Sequence, residues 1–168
     1  LRFVRMLWMR GYLNGDIQLS GSADNPRING YIMGDSAYVT LPRYGCSLKL
    51  CDDKLVVDNN VLKFNNYRIM GYNDNAIGVN GVVDMRDMDN MTIDLSLNGK
   101  NVQFINAEQR TFSEVFGKAY ADVAATVKSN SSYMSVKADL KVLPTTNITY
   151  VMKDEISNLT TSVDENMV

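Results

Sequence analysis

Apolar and polar residues alternate along much of this chain. Between Gly15 and Gly21, Ile17 and Leu19 point one way while Asp16 and Gln18 point the other. A period of two is typical of a strand with one buried and one solvated face. The same alternation recurs at Val39 and Leu41, Leu48 and Leu50, Ile77 to Met85, Leu95 and Leu97, and Met134 to Val142, where Val136 and Leu140 lie on one face. The pattern predicts many short strands.

Turn-forming residues separate these runs. Asp24-Asn25-Pro26, Asn59-Asn60, Asn73-Asp74-Asn75 and Asn98-Gly99 all favour tight reversals. Short strands joined by such turns predict an all-β, mostly antiparallel meander. A sheet with one apolar face can hide it in a two-sheet sandwich, in a closed barrel, or by bending over a groove that a ligand fills. Alternation alone does not choose among these.

Residues 111–125 fit two patterns. Thr111 and Glu114 are spaced as a helix-capping box, and the apolar residues after them also fall at helical intervals. From Gly117, however, Ala119, Ala121 and Val123 alternate with polar residues. We favour a loop or short turn up to Phe116 and a strand from Gly117.

Composition narrows the function classes. The 168 residues contain 17 Lys and Arg, 19 Asp and Glu and no His, for a net charge of −2. Phosphate binding needs clustered basic residues, so we expect no nucleic-acid partner. The absence of His removes the commonest general base and metal ligand. With no pair of acidic residues standing out, we expect no enzyme, no catalytic residues and no cofactor.

Two further groups of residues have simple interpretations. Asp84, Asp87 and Asp89 lack the full pattern of a calcium loop and are interpreted as a turn. Cys46 and Cys51 would lie too far apart to bond within one extended strand, and we expect both to be packing residues. We therefore predict no metal site.

Residues 15–32 carry a more specific pattern. The pattern begins with Gly15, an alternating strand and Gly21. A short turn leads to Pro26, and in the strand that follows Gly30 lies two residues after the apolar Ile28. This hairpin resembles the recurring hairpin of the TamB and AsmA-like envelope proteins. The stretch 35–45, the glycine-spaced strand 76–83 and the strand 91–97 are similar to the strands that come after this hairpin in that family.

The resemblance implies a domain organisation. A first repeat would cover about 13–105, and a second, degenerate repeat about 117–153, in which Val127 stands near the usual Gly and no Pro precedes the return strand. We expect residues 1–168 to be a single fragment of a longer TamB-like repeat region.

The resemblance also implies a fold and a role. The expected fold is an elongated, twisted sheet curled into an open trough, the β-taco, whose apolar interior shields phospholipid acyl chains between the inner and outer membranes. Its implied location is the periplasm of a Gram-negative bacterium, in a full-length protein anchored in the inner membrane. The candidate groove residues are Ile17, Leu19, Val39, Leu41, Leu48, Leu50, Leu95, Leu97, Val136 and Leu140.

Other roles stay open beside lipid transport. Exposed sheet edges could pair with an outer-membrane β-barrel partner, in line with the family's link to outer-membrane protein assembly, and would allow edge-to-edge self-association of this fragment. A closed sandwich with a purely structural role is a further alternative. A hydrolase using two carboxylates is the last, although no pair of residues can be nominated for it.

Overall fold

A computed structural model describes residues 8–110 and 114–152. The described residues contain ten strands, all in one sheet. The strands are β1 Trp8–Ser22, β2 Asn25–Leu41, β3 Cys46–Leu50, β4 Lys54–Asp58, β5 Val61–Met70, β6 Ala76–Asp84, β7 Thr92–Ala107, β8 Val115–Ser129, β9 Met134–Val142 and β10 Asn147–Tyr150. A 3₁₀ turn, Pro42–Tyr44, separates β2 from β3.

Every strand pair is antiparallel. β3 and β4 run in succession along β2, and β9 and β10 run in succession along β8, so each pair behaves as one interrupted strand. The predicted all-β antiparallel meander is confirmed. A two-sheet sandwich would need a second sheet, whereas all described strands belong to one.

The strand predicted from Gly117 is also confirmed, and it begins two residues earlier, at Val115. Positions 111–113, where the helical alternative would begin, lie outside the described residues. Gly117 itself pairs with Ala107 on one side and Ile148 on the other.

The centre of the sheet is closed, whereas the resemblance implied an open trough. The path β2–β4–β5–β6–β7–β3 returns to β2, so six strands close on themselves. Between β3 and β7 the ring is closed by one pair, Cys46 opposite Ile105, while β3 is also paired with β5 at Lys49–Met70 and Leu50–Ile69. The turn between β5 and β6 ends those strands early, and the beginning of β3 and the end of β7 meet beyond it.

Two apolar clusters lie in and beside the closed part. In the first, Cys51, Tyr67 and Val79 are buried. In the second, Ile105, Val115 and Ala119 are buried, with Cys46 packed against them. The two cysteines are free and serve as packing residues, as predicted.

The far end of the closed part is held by a buried side chain. Asn60, in the turn between β4 and β5, donates from Nδ2 to the Pro26 carbonyl at 2.7 Å and accepts from the Ile28 amide at 2.5 Å. Its own carbonyl accepts from the Met85 amide at 2.8 Å. Three strand ends are thereby joined through one residue.

Candidate functional site

Strand register defines one continuous apolar face. Directly opposed residues in antiparallel strands share a face, so each chain of opposed pairs forms a row across the sheet. One row runs Ile17, Gly30, Val57, Leu62, Val83, Ile93, Ser129 and Met134, from β1 to β9. A second runs Leu50, Ile69, Ile77, Gly99, Val123 and Leu140.

All ten predicted groove residues lie on this face, which we call the inner face. Leu95 is opposite Val127, which is opposite Val136. Val39 is opposite Leu48, two positions from Leu50 along β3. The remaining members are reached by steps of two along their strands. Whether they contact lipid stays a prediction.

The ten residues differ sharply in exposure. On the flanking strands, Ile17 is 48% exposed and Leu19 71%, while Val136 is 59% and Leu140 67% exposed. In the closed centre, Leu50, Leu95 and Leu97 pack against the cluster formed by Cys51, Tyr67 and Val79. Val39, Leu41 and Leu48 are half-buried. The predicted groove residues are therefore exposed on β1 and β9 and partly buried in between.

Several exposed inner-face residues were not among the predicted ten. Met9 and Leu13 on β1 are 63% and 60% exposed, and Met134 and Val142 on β9 are 67% and 59% exposed. Met134 and Val142 lie two residues from the predicted positions Val136 and Leu140 on β9. Met9 and Leu13 lie opposite the inner-face residues Val39 and Gly34 of β2. The alternation could have found all four, because Leu13 and Met9 also lie an even number of residues before Ile17.

The opposite face of β7, β8 and β9 is charged. Lys128 lies opposite Asp94 with 4.0 Å between Nζ and Oδ2, and Lys100 reaches Asp122 at 3.3 Å. Lys137 and Asp139 are exposed between the apolar positions of β9. Charge and apolar surface are thus segregated to opposite sides of the same strands.

The acidic loop after β6 behaves as a turn. Arg86 donates to both carboxylate oxygens of Asp84, and these hydrogen bonds hold the pKa of Asp84 at about 2. Asp87 accepts from the Asn90 side chain at 2.8 Å and from the Asp89 amide at 3.1 Å. In the described part of the chain, no cluster of three or more His, Cys, Asp or Glu is arranged to hold a metal ion.

A wide surface cleft of about 580 Å³ lies beside the closure, between the 3₁₀ turn and the start of β8. Arg43 and Glu114 form a two-pronged ion pair within it, with Nε to Oε2 at 2.5 Å and Nη2 to Oε1 at 3.0 Å. This pairing raises the pKa of the Arg43 guanidinium. Because each charge already has its counterion, the cleft presents no unsatisfied charge from this pair.

The family model of the TamB C-terminal domain matches residues 65–166. The chain belongs to the TamB family. No curated protein and no solved structure matches it. The TamB match covers β6 to β10 and most of β5, which include part of the closed centre and the exposed strand β9.

TamB membership gives a general role. It places the chain among cell-envelope proteins that act in envelope assembly or lipid transport. Across residues 8–110 and 114–152, no helix combines the length and apolar character needed to cross a membrane.

Proposed function

We propose that the inner face of this TamB-family chain shields phospholipid acyl chains during their transport between the inner and outer membranes. The observation that carries the proposal is that rows of opposed inner-face residues connect β1 to β9, with large apolar side chains exposed at both flanks. Exposed apolar patches of this kind mark binding surfaces in soluble proteins.

The energetics suit acyl chains. Each methylene group removed from water contributes about 0.8 kcal/mol, so a hydrocarbon chain lying along the inner face is strongly favoured over one in water. Neighbouring positions in a row have similar chemistry, so a chain can shift along the face at little cost. The headgroup would stay in solvent at the exposed edge of the inner face. No catalytic group is required for this role.

A phospholipid carrying a photoactivatable group on its acyl chain tests the proposal without altering the protein. After illumination, adducts are mapped by peptide mass spectrometry. We expect them on the inner-face residues Val136 and Leu140, and not on Lys137 and Asp139 of the same strand. Equal labelling of both sets, or none on β9, would overturn the proposal.

A second candidate function is strand pairing with a β-barrel protein during outer-membrane assembly. Among the described residues, β1 pairs only with β2, so its other edge offers free backbone groups along Trp8–Ser22. Free edges recruit additional strands. Sedimentation over a concentration range tests this: self-association is expected, and a strictly monomeric chain would count against pairing-competent edges.

A further inference from the structure

The closure of the six central strands is narrow. β7 and β8 are paired from Ile93–Ser129 to Ala107–Gly117, whereas β3 and β7 share the single pair Cys46–Ile105. Beside that pair, the Asn106 amide donates to the Gly45 carbonyl at 3.3 Å. We call this contact, formed by Gly45, Cys46, Ile105 and Asn106, the seam.

Tyr72 spans the seam from the turn between β5 and β6. Its amide donates to the Gln103 carbonyl of β7 at 2.9 Å, and its hydroxyl donates to the Gly45 carbonyl beside β3 at 3.1 Å. The Tyr72 side chain is 40% exposed, so its hydroxyl can exchange the Gly45 carbonyl for water at modest cost. The backbone hydrogen bonds across the seam are thus few, and the Cys46 and Ile105 side chains add apolar packing with Val115 and Ala119.

Closure interrupts the inner face. The row through Ile17 and Met134 is exposed at both ends, but Val57 in its middle is only 5% exposed. Leu95 and Leu97 are partly buried against Cys51, Tyr67 and Val79 in the same closed centre. An acyl chain moving across the rows from β9 to β1 would meet this covered region.

We propose that the seam between β3 and β7 is a lateral gate, which parts so that acyl chains can cross the inner face of the central strands. This inference rests on the proposed lipid-shielding function and adds its regulation. In the closed state the central leucines pack against Cys51, Tyr67 and Val79; in the open state they contact lipid. The hinge is the 3₁₀ turn and Gly45, whose φ of +62° no β-branched residue adopts readily.

A disulfide across the seam tests the gate. Cys46 and Ile105 lie directly opposite each other, and the backbone hydrogen bond beside them joins their neighbours Gly45 and Asn106. Opposed residues that exchange no backbone hydrogen bonds have the closest Cα atoms, about 4.5 Å apart. That spacing suits a disulfide. The variant Ile105→Cys should therefore bond to Cys46 on oxidation and lock the gate. The double variant Cys46→Ser with Ile105→Cys keeps Cys51 but cannot form the lock, and is the matched control.

The readout is labelling by the photoactivatable phospholipid, mapped separately on β7 and β9. With the seam reduced, we expect adducts on Leu95 and Leu97 as well as on Leu140. With the seam oxidised, labelling of Leu95 and Leu97 should fall to the level of outer-face residues while Leu140 stays labelled. In the control variant, oxidation should change the labelling of neither β7 nor β9.

The outcomes separate the two proposals. Undiminished labelling of Leu95 in the locked protein would overturn the gate and leave lipid shielding standing. Labelling confined to β9 even in the reduced protein would also overturn the gate. An absence of labelling on both strands would overturn lipid shielding, and the gate with it.

A wedge variant acts in the opposite direction. A Cβ added at Gly45 would collide with the Ala107 Cβ, so Gly45→Ala should hold the seam apart. Provided circular dichroism shows a folded sheet, we expect more label on Leu97 than in the wild-type chain. Unchanged labelling in a folded Gly45→Ala chain would contradict the gate.

Discussion

Gly81 of β6 lies directly opposite Leu95 of β7 on the inner face, with a φ of +128°. A Cβ at Gly81 would collide with the Asp94 carbonyl oxygen, which belongs to the backbone and cannot easily move. Phe64 of β5 is opposite Gly81 on its other side. A glycine between two large side chains thus lets the backbones approach while the apolar face stays continuous.

Replacing this glycine should destabilise the closed centre. Gly81→Ala combines a strained positive φ with a backbone collision, and we expect a loss of at least about 2 kcal/mol in the free energy of unfolding by denaturant titration. Gly78→Ala is the control, because its nearest obstacle is the movable side-chain oxygen of Asn66. Similar losses for both variants would contradict the specific role of Gly81.

Asn60 should be the most sensitive polar residue of the described sheet. Asn60→Gly keeps its φ of +64° accessible but removes the side-chain hydrogen bonds to Pro26 and Ile28. Leaving those part-buried backbone groups unpaired should cost about 2 kcal/mol in the free energy of unfolding. Asn59→Gly, in the exposed position of the same turn, should change it by less than about 0.5 kcal/mol. Equal effects would show that the turn conformation, and not the side chain, matters.

Tyr67 should make stability depend on alkaline pH. Its hydroxyl donates to the Cys51 carbonyl at 3.1 Å, and burial raises the pKa of Tyr67 to about 12. A raised folded-state pKa means that its contribution to stability is complete below the ordinary value of 10.0 and is lost as pH rises towards 12. In Tyr67→Phe, unfolding measured between those pH values should be less pH-dependent. Identical pH profiles for the two chains would contradict this assignment.

Truncations of inner-face leucines should separate the core from the open flank. Leu97→Ala removes packing against Tyr67 and Val79 and should cost about 2 kcal/mol in thermal or denaturant unfolding. Leu140→Ala, at a residue that is 67% exposed, should cost less than about 0.5 kcal/mol. A large loss for Leu140→Ala would mean that the flank is packed in solution.

Local patterns in the sequence predicted most of the strands and their inner faces. Alternation depends only on neighbouring residues, so Leu95 and Val136 could be assigned to one face before their register was known. Closure could not be predicted in the same way, because the Cys46–Ile105 pair joins residues distant in the chain and depends on how far β5 and β6 extend. The same limit explains why the sequence did not show that Leu95 and Leu97 are partly buried against Cys51, Tyr67 and Val79.

The alternation also did not predict the register shifts within the strands. Asn66 and Asn101 adopt positive φ at register shifts in β5 and β7, and each shift changes which side chains face inward beyond it. A polar Asn within a strand is compatible with a bulge or with an outward-facing residue, so the sequence does not distinguish them.

Native mass spectrometry of the purified chain with phospholipid tests lipid shielding most directly. Leu140→Asp places a charge on the exposed inner face, while Ser135→Asp places the same charge on the outer face of β9, opposite Lys128. We predict bound phospholipid on the wild-type and Ser135→Asp chains, and its loss from a folded Leu140→Asp chain. A wild-type chain that binds no phospholipid, or a Leu140→Asp chain that binds as much as Ser135→Asp, would contradict the account.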